Sequence, residues 1–111
     1  MSIRVLELAE NPAPEHKMRV VLQLTDKDGK KTRKTIKFGA KGYKDYTIYH
    51  AENPEIAELK KDAYLARHGK TSEDWTLSGV FTKGFWSRWI LWNLPSTEAS
   101  LSFVKKKFGF D

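Results

Sequence analysis

Two alternating runs joined by one short turn restrict the fold of this chain more than any other feature. In residues 17–25, "KMRVVLQLT", Met18, Val20, Leu22 and Leu24 alternate with Arg19, Val21 and Gln23, the period of two that marks a half-buried strand. The next residues, "DKDGK", hold an Asp-Gly pair in which Gly29 is free to take a positive φ. They lead into a second run, "KTRKTIKF", and so short a connection joins antiparallel neighbours. Residues 17–38 are therefore expected to form a hairpin. "SIRVLELA" at 2–9 reads as a further strand, set off by the two prolines of "ENPAPEH".

The hairpin also sorts charge. If Ile36 and Phe38 face a core, pleat alternation turns Lys31, Arg33, Thr35 and Lys37 to the other side, beside Arg19 and Gln23 of the neighbouring strand. One face of the sheet becomes a positive plate. Lysines on such a strand also discourage edge-to-edge pairing, so a solvated surface fits the pattern as well as a partner surface does. The chain's formal charge of +6 is concentrated accordingly, with +7 in residues 27–44 and +3 from 83 onward, against −1 in 1–26 and −3 in 45–82.

The second half reads as helical. "GAKGYKDYTIYH" is a glycine- and tyrosine-rich connection with no clear period. Asn53 then caps a helix that has Pro54 at its first position and Glu55 in its first turn, and Gly69 stands at its end. Ile56, Leu59, Ala63 and Ala66 lie on one stripe of this helix, the face expected to pack on the sheet. Trp75, Leu77, Val80 and Phe81 pin a polar connection, and a second helix is expected over 83–93. A third, capped by Ser96, carries Leu101, Val104 and Phe108 on one side and stops at Gly109.

The segment "GFWSRWILWN" bears on function as well as fold. On a helix, Phe85, Trp89 and Trp92 share a stripe and Trp86 and Ile90 flank it, covering most of the circumference. A helix so apolar is normally buried, each large ring removing roughly 150–250 Å² from water. Exposed indoles can instead stack on bases, but such rings sit among cations, and only Lys83 and Arg88 are interleaved here. The core role is preferred, with Arg88, on the less apolar edge, left as a partner contact.

At 111 residues, 40% hydrophobic and without cysteine, the chain has the material for one core and none for disulfides or thiolate sites. No apolar run approaches the roughly 20 residues of a membrane span, so a soluble intracellular protein without membrane contact is expected. The fold class expected is α+β, an antiparallel sheet of about three strands with two or three helices packed on one face. It forms a single domain over 1–111, with the sheet in 1–38, a connection in 39–53 and a helical part in 54–108.

"FGAKGYKDYTIYH", "AYLARHGK", "GFWSRWILWN" and "PSTEASLSFVKKKFG" resemble, in that order, a small uncharacterised family encoded by nucleocytoplasmic large DNA viruses, the giant viruses of amoebae and algae. The resemblance spans about residues 36–109. It implies an infected host cell, in cytoplasm or nucleus, a large double-stranded DNA genome and a place in or around the virion, and it transfers no catalytic or binding residue.

Motifs for catalysis are missing. His16, His50 and His68 are widely spaced, and HExxH, GxSxG, GxxxxGK[ST] and GxGxxG are all absent. Neither enzymatic activity nor a cofactor or metal is expected. Gly39-Ala40-Lys41-Gly42 matches the GxxG of phosphate-clamping loops but follows a strand. A strand-ending turn that needs positive φ explains it better. The reading is therefore non-specific nucleic-acid binding, DNA before RNA, with Lys31, Arg33, Lys37, Lys41 and Lys44 on phosphates and Arg19, Lys34 and Arg88 supplementary. About five contacts would give a salt slope near −4 to −5. The alternative is a virion or assembly protein whose partner is protein, a homodimer included, anchored by the plate or by Tyr43, Tyr46 or Tyr49.

Overall fold

In a computed structural model, which describes residues 2–12 and 14–111, the hairpin forms as its pattern requires. Met1, and Ala13 in the proline-rich break, lie outside the described residues. Strands β1 (Ser2–Glu10), β2 (His16–Thr25) and β3 (Lys31–Ala40) make one antiparallel sheet in the order β1-β2-β3. The Asp26 carboxylate closes the hairpin by accepting the Asp28 and Lys30 amides, each at 2.9 Å, and Gly29 takes φ 83°. The outer edge of β1 is covered as well. Asp111 donates its amide to the Ile3 carbonyl at 3.0 Å and accepts the Val5 amide at 2.8 Å. This satisfies edge groups that would otherwise template another strand.

Ile3, Val20, Leu22, Ile36 and Phe38 face inward and meet Val80, Phe85, Trp86, Ile90, Leu91, Val104 and Phe110 in one core. The tryptophan segment is the lid of that core. It forms a short helix α3 (Lys83–Trp86) that widens into a π turn over Ser87–Leu91, where the Trp92 amide reaches back to the Ser87 carbonyl at 3.1 Å. The uniform helix expected over 83–93 is thus corrected. The wider turn brings Ile90 and Leu91 inward together and leaves Trp89 and Trp92 half-buried beside the fully buried Trp86. Trp86 Nε1 donates to the Val80 carbonyl at 2.6 Å, so its one polar atom is satisfied inside the core. Helix α4 (Thr97–Phe108) runs from the Ser96 cap to Gly109, which holds φ 74°, and buries Val104 as expected.

Between strand and lid, β3 ends on Gly39 at φ 78°. A Cβ there would stand 2.6 Å from Leu91 Cδ1, so glycine is needed for the turn and for the close approach of the lid.

Residues 39–53 are more than a connection. After a turn they form helix α1 (Tyr46–Glu52), whose N-cap Asp45 accepts the Thr47 amide at 3.0 Å. Asn53 ends α1 and, through its side chain, caps helix α2 (Pro54–His68). Gly69 terminates α2 in a right-handed conformation, without the left-handed turn its position suggests.

The expected face of α2 is also corrected. Ile56 and Leu59 are 42% and 65% exposed, and Ala63 and Ala66 lie in solvent with them. Ala57 and Tyr64 turn inward instead. The helix packs against α1 and the tryptophan segment rather than on the sheet. The Tyr64 ring decides the rotation, lying flat on Trp92 with centroids 4.4 Å apart and an interplanar angle of 5°, with His68 stacked on it at 4.2 Å. An aromatic side chain offers more contact area than the two alanines that its burial leaves outside.

Candidate nucleic-acid interface

The outward side chains of the sheet fall into cross-strand rows set by the two registers. Arg4, Gln23 and Arg33 form one row, and Ala9, Arg19 and Lys37 another. Ser2, Thr25 and Lys31 make a third, and Glu7, Val21 and Thr35 a fourth. Strands lie about 4.8 Å apart and alternate residues repeat about every 6.8 Å along them. The rows therefore set Arg4, Lys31, Arg33 and Lys37 on one surface, and all four are exposed. The core and the tryptophan lid occupy the opposite face.

The sequence-predicted residues divide. Lys31, Arg33 and Lys37 stand on the plate. Arg19 shares it but is partly neutralised, its Nε 2.8 Å from Glu7 Oε1 and its Nη1 on the Glu10 carbonyl at 3.2 Å. Lys34 points the other way and rests over the Phe81 ring at 4.9 Å, as strand parity demands. Lys41 donates to the Asn11 carbonyl at 3.1 Å. Lys44 leaves the plate for α1, pairing with Glu52 at 2.8 Å, a contact that raises its pKa.

Arg88 is committed to the protein's own interior rather than to a partner. Its Nη1 donates to the Trp92 carbonyl at 2.7 Å and its guanidinium stacks 4.4 Å from the centre of the Trp89 ring. Burial lowers its pKa without discharging it. Of the tyrosines considered as anchors, Tyr43 is 74% exposed, Tyr49 half-buried and Tyr46 buried.

Arg4 is the plate residue missed by sequence reasoning. Its alternation with Ile3 and Val5 was a signal, but a β-bulge between Val5 and Glu7 shifts the register of β1, and no sequence pattern announced which strand β1 would pair with.

A family of unknown function, DUF5754, has a model that matches residues 6–68. The chain belongs to that family. The DUF5754 match takes in the second half of β1, the hairpin and α1–α2, and with them Lys31, Arg33 and Lys37 of the plate, while Arg4 and the tryptophan lid lie outside it. No curated protein and no solved structure matches the chain.

Proposed function

We propose that this chain is a small basic nucleic-acid-binding protein that engages phosphates through the open face of its sheet, without base specificity. The observation that carries the reading is the convergence of Arg4, Lys31, Arg33 and Lys37 on one exposed surface with Glu7 as the carboxylate among them. Arginine and lysine side chains present donors alone, which suit phosphate oxygens, and contacts to phosphates carry no sequence information. The resemblance of residues 36–109 to proteins of large DNA viruses is the reason for placing the partner as DNA in an infected cell.

Neutralising about four phosphates sets a slope of log K against log salt near −3.6. Titration of duplex and single-stranded DNA at two salt concentrations tests this, and the double variant Arg33→Glu/Lys37→Glu should abolish binding while the fold survives. Absence of binding to the unmodified chain at low salt would end the reading.

A second reading, self-association, is favoured by the exposed stripe on α2. Ile56, Leu59, Ala63 and Ala66 follow a, d, a, d spacing, with Glu55 and Asp62 on one flank and Lys60 and Arg67 on the other. A second copy of α2 laid parallel would face Glu55 with Lys60 and Asp62 with Arg67, the g-to-e′ pairing of parallel coiled coils. Two heptads bury little area, so the dimer should dissociate on dilution. Sedimentation over a concentration series is the check, and Leu59→Glu should leave only monomer. A concentration-independent monomer would remove this reading.

A further inference from the structure

A cleft of 560 Å³ opens between the ends of β2 and β3, the α1–α2 pair and the tryptophan lid, separate from the plate. Its size falls within the usual range of small-ligand sites. Tyr49, Tyr64 and Trp92 line it, with Lys60, Arg67 and Lys83 also on its walls. Two carboxylates share the wall, Asp45, which is buried and already paired with Lys17 at 2.8 Å, and the exposed Glu15, so Lys60, Arg67 and Lys83 still leave it an excess of positive charge.

Two donors in this cleft lack acceptors. Tyr64 is only 5% exposed, yet among the described residues its hydroxyl makes no hydrogen bond. Trp92 is half-buried and its Nε1 likewise has no partner among them, whereas Trp75, Trp86 and Trp89 each place theirs on an oxygen. Neither atom is sealed from solvent, since among the described residues the fully buried side-chain polar atom without a partner is Asn93 Nδ2, outside this cleft, so both donors stand open to a ligand. The wall offers indole N–H, phenol O–H, ammonium and guanidinium groups, and so selects a ligand rich in acceptors and negatively charged. Its aromatic lining, with Tyr49 and Trp92 tilted at 6.4 Å, selects a flat one. The ammonium groups of Lys44 and Lys60 both lie over the Tyr49 ring, 5.8 and 5.6 Å from its centre, bringing positive charge to the edge of that lining.

We propose that this cleft binds a nucleotide unit, its base against the Tyr49–Trp92 wall and its phosphate among Lys60, Arg67 and Lys83. The unit is supplied either by a free mononucleotide or by an unpaired residue of a strand. This assignment does not rest on the sheet face, and the two fail separately.

The test titrates the full chain with adenosine 5′-monophosphate, adenosine, inorganic phosphate and a single-stranded decamer, reading tryptophan fluorescence and amide shifts. The monophosphate should bind and quench, with adenosine and phosphate each at least tenfold weaker. Lys83→Glu should weaken it about tenfold, Tyr64→Phe a few-fold, and Arg33→Glu/Lys37→Glu not at all. If the decamer alone binds and Lys83→Glu weakens it, the strand is the source and the site stands. Phosphate binding as tightly as the monophosphate would overturn the role of the aromatic wall. Indifference of both nucleotide ligands to Lys83→Glu, in a variant with unchanged circular dichroism, would overturn the site.

Discussion

The sheet with its tryptophan lid and the α1–α2 pair are held by different forces. In the first, apolar side chains from all three strands close on Trp86, Phe85 and Val104, and nearly every contact is dispersion and desolvation. In the second, Ala57, Tyr46 and Tyr64 are buried, and the attachment depends on the Lys17–Asp45 pair and on the Tyr64–Trp92 stack. The contrast teaches that a stripe of apolar residues does not decide a helix's inward face when one aromatic ring and one buried ion pair fix its position.

The comparison can be broken most directly at its apolar end. Trp86→Ala removes the largest fully buried side chain and is expected to cost about 3–5 kcal/mol, a large part of a small domain's stability. Chemical denaturation should show both regions unfolding together. Survival of the sheet's amide protection would mean that the lid is not the core.

Lys17→Ala acts on the other region. It leaves the Asp45 carboxylate, 4% exposed, without its partner, a loss expected at about 3 kcal/mol. Hydrogen exchange should accelerate first in α1 and α2, with β2 and β3 following less. Uniform acceleration would merge the two regions into one cooperative unit.

Alkaline pH should also find the α1–α2 pair. The Tyr46 hydroxyl donates to Glu58, and this hydrogen bond, with burial and the carboxylate's charge, pushes its pKa up to about 12 from 10.0. The folded state keeps the proton to higher pH than the unfolded chain does. The stability from this contact is therefore whole below pH 10 and is lost as pH climbs towards 12. Burial raises the Tyr64 phenol in the same sense, while the lowered pKa of Lys61 works in the opposite direction. Melting curves from pH 8 to 12 should show a smaller alkaline fall in Tyr46→Phe than in the unmodified chain, and equal falls would contradict the assignment.

The smallest effect on stability is expected where the effect on binding is largest. Arg33→Glu/Lys37→Glu changes exposed positions on the plate and should alter unfolding by within about 0.5 kcal/mol per substitution. A larger loss would mean that the plate serves the fold rather than a partner.

Much of this molecule could be read from the chain. The alternation of Met18 to Leu24, the Asp26–Lys30 turn, the Asn53 and Ser96 caps and the Gly109 stop all appear as expected. Lys31, Arg33 and Lys37 followed from the parity that buries Ile36 and Phe38. These are local rules, in which each residue's neighbours along the chain set its direction. Arg4 joined the plate only through the pairing of β1, and Arg88 left the surface because the rings of Trp75 and Trp89 enclose its guanidinium.

By itself, then, the sequence determined the strands, their turn, the Asn53 and Ser96 caps, the Gly109 stop and the sign of the outer sheet face. The direction α2 faces, the π turn of the lid and the donor-lined cleft were decided only by tertiary structure. Each depends on contacts between residues far apart in the chain, Tyr64 with Trp92, Gly39 with Leu91 and Lys17 with Asp45, and no local period encodes those.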